Sequence, residues 1–141
     1  MKKTLAYLIL IVISISFFGC EEEPVFVKAD EVCMPQYKDK KVIIEGELLL
    51  PNSFYSTGKY ATLVLRSKKG DRLPSVIIYF LKERKNTMER ITDGYTMDDI
   101  KIYDSEGNNV KLGEKVKLTG KLVGADKTWC ELYVDKIEKV K

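Results

Sequence analysis

Beyond residue 40 the chain alternates apolar and polar residues with a period of two, the pattern of strands that bury one face. In "KKVIIEGELLLP", Val42, Ile44, Gly46 and Leu48 oppose Ile43, Glu45, Glu47 and Leu49. This predicts a long first strand, with Gly46 in its middle where a bulge or tight coil is cheap. "YATLVLRS" sets Ala61, Leu63 and Leu65 against Tyr60, Thr62, Val64 and Arg66 as a second strand. "KKGDR" predicts a hairpin turn, and "PSVIIYFL" a third strand that is apolar on both faces. "KERKNTMERITDG" is compatible with a short helix, with Met88 and Ile91 as its apolar face and Gly94 as its stop. "DDIKIYDSEGNNVKLG" predicts a small extra hairpin turning at "DSEGN". In "EKVKLTGKLVG", Val116, Leu118, Gly120 and Leu122 point in while Lys115, Lys117, Thr119 and Lys121 point out. "WCELYVDKIEKV" closes the set, with Cys130, Leu132 and Val134 opposing Glu131, Tyr133 and Asp135.

Three strands, a helix-compatible connection and two more strands is the element order of the five-stranded Greek-key barrel called the OB-fold. The expected fold is therefore all-β with one short helix, an OB-fold barrel carrying a small extra hairpin. Over residues 38–141 the chain resembles the small OB-type lipoproteins grouped with the tRNA-anticodon-binding-like domains. The long glycine-interrupted first strand and the ending "GEKVKLTGKL" to "CELYVDKIEKV" carry that resemblance.

The N-terminus points to an address. Lys2 and Lys3 precede an uncharged run from Leu5 to Phe18, which is shorter than the roughly 20 residues of a membrane-spanning helix. A basic start, a short apolar centre and a small residue at the end are the parts of a secretory signal peptide. With Gly19 before Cys20, the segment resembles a bacterial lipoprotein signal, although Phe17 and Phe18 stand where that pattern prefers Leu and a small residue. The resemblance implies removal of residues 1–19, lipidation of Cys20 with fatty acyl chains such as palmitate, and membrane attachment in the cell envelope. Residues 20–37 are then a lipidated tether and N-terminal segment. Glu21, Glu22 and Glu23 look like a tag for the outer face of the outer membrane, or form a solvated tether that leaves the protein on the periplasmic side.

Charge adds little in total and more in distribution. Without the first 19 residues the chain keeps 122 of its 141, and its bases exceed its acids by one, so the net charge is no nucleic-acid signature. Residues 59–90 nevertheless hold nine bases against three acids. With Cys20 modified, Cys33 and Cys130 remain as a pair in an oxidising compartment, either bonded or as two buried thiols.

Catalytic signals are scarce. The absence of histidine excludes Ser-His-Asp and Cys-His nucleophiles, and two thiols do not make the usual zinc sites, so neither metal nor cofactor is expected. Glu45 and Glu47 would lie about 7 Å apart on one strand face, a spacing that some glycosidases use. Alternating glutamates on a barrel strand are more simply its wet face, and no enzyme is expected.

A binding module is the stronger reading. The OB resemblance implies a site on strands two and three, bounded by the loops joining strands one to two and four to five. On this chain those places hold Phe54, Tyr55, Tyr60, Arg66 and Trp129 for contact, with Lys68, Lys69 and Arg72 supplying positive potential. Tyr79 and Lys127 lie in the same regions, and Tyr79 also suits the core. Stacking rings interleaved with cations suit single-stranded nucleic acid. An envelope address favours an oligosaccharide or a protein as the ligand, and a structural subunit of an envelope assembly is a further alternative.

Overall fold

The computed structural model describes residues 22–68, 71–126 and 128–140. The lipoprotein signal, Cys20, Lys69 and Lys127 lie outside these residues. Ten strands follow in chain order: β1 (Val25–Phe26), β2 (Lys41–Leu49), β3 (Tyr55–Ser56), β4 (Tyr60–Leu65), β5 (Ser75–Tyr79), β6 (Thr87–Met88), β7 (Ile102–Tyr103), β8 (Asn109–Val110), β9 (Lys115–Gly124) and β10 (Cys130–Lys139).

Five of them close a barrel. β2 pairs antiparallel with β4 through Leu48 and Leu49, and β4 pairs antiparallel with β5. β5 runs parallel to β10, which is antiparallel to β9, and β9 returns antiparallel to residues 41–47 of β2. The order 1-2-3-5-4-1 with one parallel pair is that of the OB barrel, the fold that the order of elements led us to expect.

β2 closes the ring by belonging to both sides of it, which requires a sharp coil in its second half. Gly46 supplies that coil: a Cβ there would meet Leu65 Cδ2 at 2.9 Å. Gly120 is needed for closeness. A side chain at this position would place Cβ 2.1 Å from the carbonyl oxygen of Tyr133, opposite the register shift between Val134 and Lys136.

The barrel interior is the alternate residue set of each strand. Val42, Ile44, Leu48, Ala61, Leu63, Val76, Ile78, Val116, Leu118, Leu122, Leu132 and Ile137 are all fully buried there. Each large aliphatic side chain so buried contributes about 1.5–3 kcal/mol against exposure, which makes this inner set the main source of stability.

The stretch over residues 82–94 differs from its helix-compatible pattern. It forms no helix; Thr87–Met88 is instead a short strand, and the remainder is irregular. Two tertiary bonds outcompete a local helix here. Thr87 Oγ1 donates to the Tyr79 carbonyl at 2.6 Å, and Asn86 Oδ1 accepts from Ile137 N at 2.8 Å beside the β10 bulge. Helical residues are confined to short 3-10 turns at Pro35–Tyr37 and Met97–Asp99 among the described residues. The extra hairpin forms as expected: β7 pairs with β8 across the "DSEGN" turn and with β6 on its other side.

Cys33 and Cys130 are bonded, with Cα atoms 5.8 Å apart. The bond ties the segment before the barrel to the first residue of β10. β1 adds a parallel edge to β2, matching Phe26 with Ile43.

Candidate binding face

One outer face of the barrel gathers most of the exposed rings. Because paired residues share a face, the registers define a row across five strands: Lys121, Tyr133, Ile77, Thr62 and Tyr55. Tyr60 and Tyr79 are paired on the same side, one step along. Their ring centroids lie 5.9 Å apart, edge to face, and Tyr79 lies 6.3 Å from Tyr133. Three tyrosines thus form one continuous aromatic surface. Ile77 sits among them and is only 2% exposed although it belongs to the outer face. Tyr55, at 59%, stands open at the row's end.

The hydroxyl of Tyr133 donates to Glu131 Oε2 at 2.9 Å, the neighbour two residues before it on the same face. This bond, reinforced by burial, pushes the phenol up to about 12. The hydroxyl therefore keeps its proton at physiological pH and shares it with the Glu131 carboxylate.

Trp129 lies in the loop between β9 and β10 and is 48% exposed. The loop is built around Asp126, whose Oδ1 accepts from Thr128 N at 2.7 Å, Thr128 Oγ1 at 2.8 Å and Trp129 N at 2.9 Å. The backbone N–H of Thr128, then its hydroxyl and the Trp129 N–H, hold the Asp126 carboxyl below its ordinary range. Trp129 precedes Tyr133 by four residues and stands outside β10, so it forms a contact point separate from the tyrosine row. Arg72 shares a hollow with it.

The remaining expected contacts fall elsewhere. Phe54 is half-buried against the core, with its ring 5.6 Å from Tyr95. Arg66 pairs with Glu47 at the far end of β4, about 13 Å of strand from Thr62. Lys68 is exposed in the turn after β4, where its N–H donates to Asp71 Oδ2 at 2.6 Å. Glu45 meets Lys115 at 2.9 Å, so each member of the carboxylate pair has a basic partner.

Tyr133 is the residue that sequence reasoning passed over. Its signal was present: it alternates outward in "CELYVD", but its neighbours on the face come from β5, which is distant in sequence.

No family model matches the chain, and no curated protein matches it. Among solved structures, an aspartyl-tRNA synthetase from Leishmania major Friedlin superposes with a TM-score of 0.48 and 16% identity, over 88% of this chain and 22% of that one. An OBody bound to hen egg-white lysozyme gives 0.46 and 13%, over 84% and 97%. Asparaginyl-tRNA synthetase from Pyrococcus horikoshii gives 0.44 and 17%, over 85% and 23%, so this chain spans less than a quarter of the synthetases it resembles in fold.

Proposed function

We propose that this protein is a non-catalytic binding module whose ligand lies across Tyr55, Tyr60, Tyr79 and Tyr133, and that Cys20 carries a lipid tethering it to the cell envelope. The observation that carries the binding reading is the contiguous tyrosine surface on the outer face of β4, β5 and β10. A flat-faced polymer gains by stacking on such a surface, and rings that need no reordering lower the cost of binding.

Single-stranded nucleic acid is the first ligand reading. Lys121 is in register with Tyr133 at one border of the row, and Lys59 precedes Tyr60 at another, where both are exposed to meet a phosphate backbone. A second reading, an oligosaccharide, is favoured by Glu131 and Asp135, carboxylates on the same strand face that would bond sugar hydroxyls and repel phosphate.

Titration with an oligonucleotide and with envelope glycans at two salt concentrations separates them. Nucleic-acid binding weakens with salt and glycan binding does not. Loss of one stacked base costs about 1–3 kcal/mol, so Tyr79→Ala is expected to weaken the true ligand about 5- to 150-fold. Unchanged affinity in both Tyr79→Ala and Tyr133→Ala rejects this face as the site. For the anchor, Cys20→Ala is expected to change the chain's mobility or its release from the membrane fraction, and retention there with unchanged mobility rejects lipidation.

A further inference from the structure

Beside the end of β5 lies a hollow of about 290 Å³ that the tyrosine face does not include. Its apolar wall is Leu81, Met88 and Tyr103, and its rim carries Lys82, Arg84 and Arg90. It begins one residue past Tyr79, and its position relative to that ring is fixed. Thr87 Oγ1 donates to the Tyr79 carbonyl at 2.6 Å and accepts from Leu81 N at 2.8 Å.

Two cations of the rim, Arg84 and Arg90, are held in place more than surface side chains usually are. The Arg84 guanidinium lies 5.5 Å from the centre of the Tyr103 ring and 3.3 Å from Glu89 Oε1. The same oxygen accepts from the Tyr103 hydroxyl at 2.6 Å, so ring, carboxylate and guanidinium form one unit. Even so, 72% of the Arg84 side chain is open to solvent. A guanidinium has five N–H donors, and stacking on one face with one carboxylate contact leaves most of them free for a second anion. Arg90 donates from Nη2 to the Gly58 carbonyl at 2.7 Å, joining the rim to the loop before β4. Three cations face one carboxylate, so the hollow keeps a positive potential next to the rings.

We infer that this hollow is an anion subsite that takes a phosphate of a strand laid across Tyr60 and Tyr79, an inference that rests on the nucleic-acid reading above. The stacked rings hold the bases, and Arg84 with Lys82 holds the backbone as it leaves the face.

The test uses the full chain and a fluorescently labelled oligothymidylate between 50 and 200 mM salt. Each phosphate contact on a single strand adds about 0.7 to the slope of log affinity against log salt. Lys82→Gln combined with Arg84→Gln is expected to lower that slope by about 0.7, the share of the one phosphate they hold, so the unsubstituted chain loses about 2.6-fold more affinity over this range than the double variant. Lys82→Gln alone, on an exposed side chain with no hydrogen bond or ion pair among the described residues, is expected to remove about half of that slope change. Lys28→Gln, on the segment before the barrel, leaves the slope unchanged. Tyr79→Ala weakens binding at every salt concentration with the slope preserved. If Tyr79→Ala weakens binding and both Lys82 variants keep the original slope, the anion subsite is overturned and the tyrosine face stands. If the unsubstituted chain does not bind the oligonucleotide at 50 mM salt, the nucleic-acid reading falls, and the subsite falls with it.

Discussion

Replacing both Cys33 and Cys130 with Ala is expected to be among the most costly double substitutions in the protein, and its size can be worked from the chain alone. The bond spans 97 residues. In the chain-entropy model, closing a loop of that length removes about 4.7 kcal/mol of freedom from the unfolded state. For a domain of this size each kcal/mol moves Tm by about 4 °C, which predicts a fall of about 15–20 °C. Alanine is the right replacement because Cys33 is only 5% exposed, and a serine hydroxyl there would add a desolvation penalty of its own. The assay is thermal melting followed by circular dichroism, with and without reductant. Oxidised protein should melt high, reduced protein low, and the double alanine variant low in both conditions. Melting points within about 4 °C of one another for all three would show that the bond restrains little, and would refute the loop-entropy argument.

Gly120→Ala is expected to destabilise by about 1–3 kcal/mol or more, since its Cβ would stand 2.1 Å from a backbone oxygen that cannot rotate away. Gly58→Ala, which meets nothing within 4 Å, should stay within about 0.5 kcal/mol of the parent in urea melts. The raised Tyr133 phenol should titrate near 12 by ultraviolet absorbance. Its bond to Glu131 contributes stability below the unfolded tyrosine value of about 10 that is lost as pH rises through 12, and Tyr133→Phe should abolish that pH dependence. Asp126 titrates in the opposite sense. Its contribution is present above about 4 and is lost as pH falls through its lowered value, so acid and Asp126→Ala should each change Trp129 emission before the barrel itself melts.

The barrel was legible because burial imposes a period of two on every strand. Val116, Leu118 and Leu122 could be assigned inward from alternation alone, and all three are fully buried. The segment over 82–94 was misleading because local propensity was consistent with a helix, while the bonds that decide its shape reach Tyr79 and Ile137. Nothing near Thr87 or Asn86 in sequence announces those partners. The site followed the same division. Tyr55, Tyr60 and Trp129 could be named from their loops and strands, whereas Tyr133 joins them only through the parallel pairing of β5 with β10. Phe54 shows the converse: next to Tyr55 in the chain, it packs on the core instead.

The bond between Cys33 and Cys130 also decides how the molecule carries load. A pull applied between the two ends of the chain reaches Cys33 before it reaches the barrel, crosses the covalent bond, and leaves along β10. Strands β2 to β9 lie off that line of force, a shielded length of about 350 Å when fully drawn out. A domain hung from a membrane by its N-terminus would therefore give up its edge strand and its last strand under tension, while the rest of the chain stayed slack until the bond was reduced.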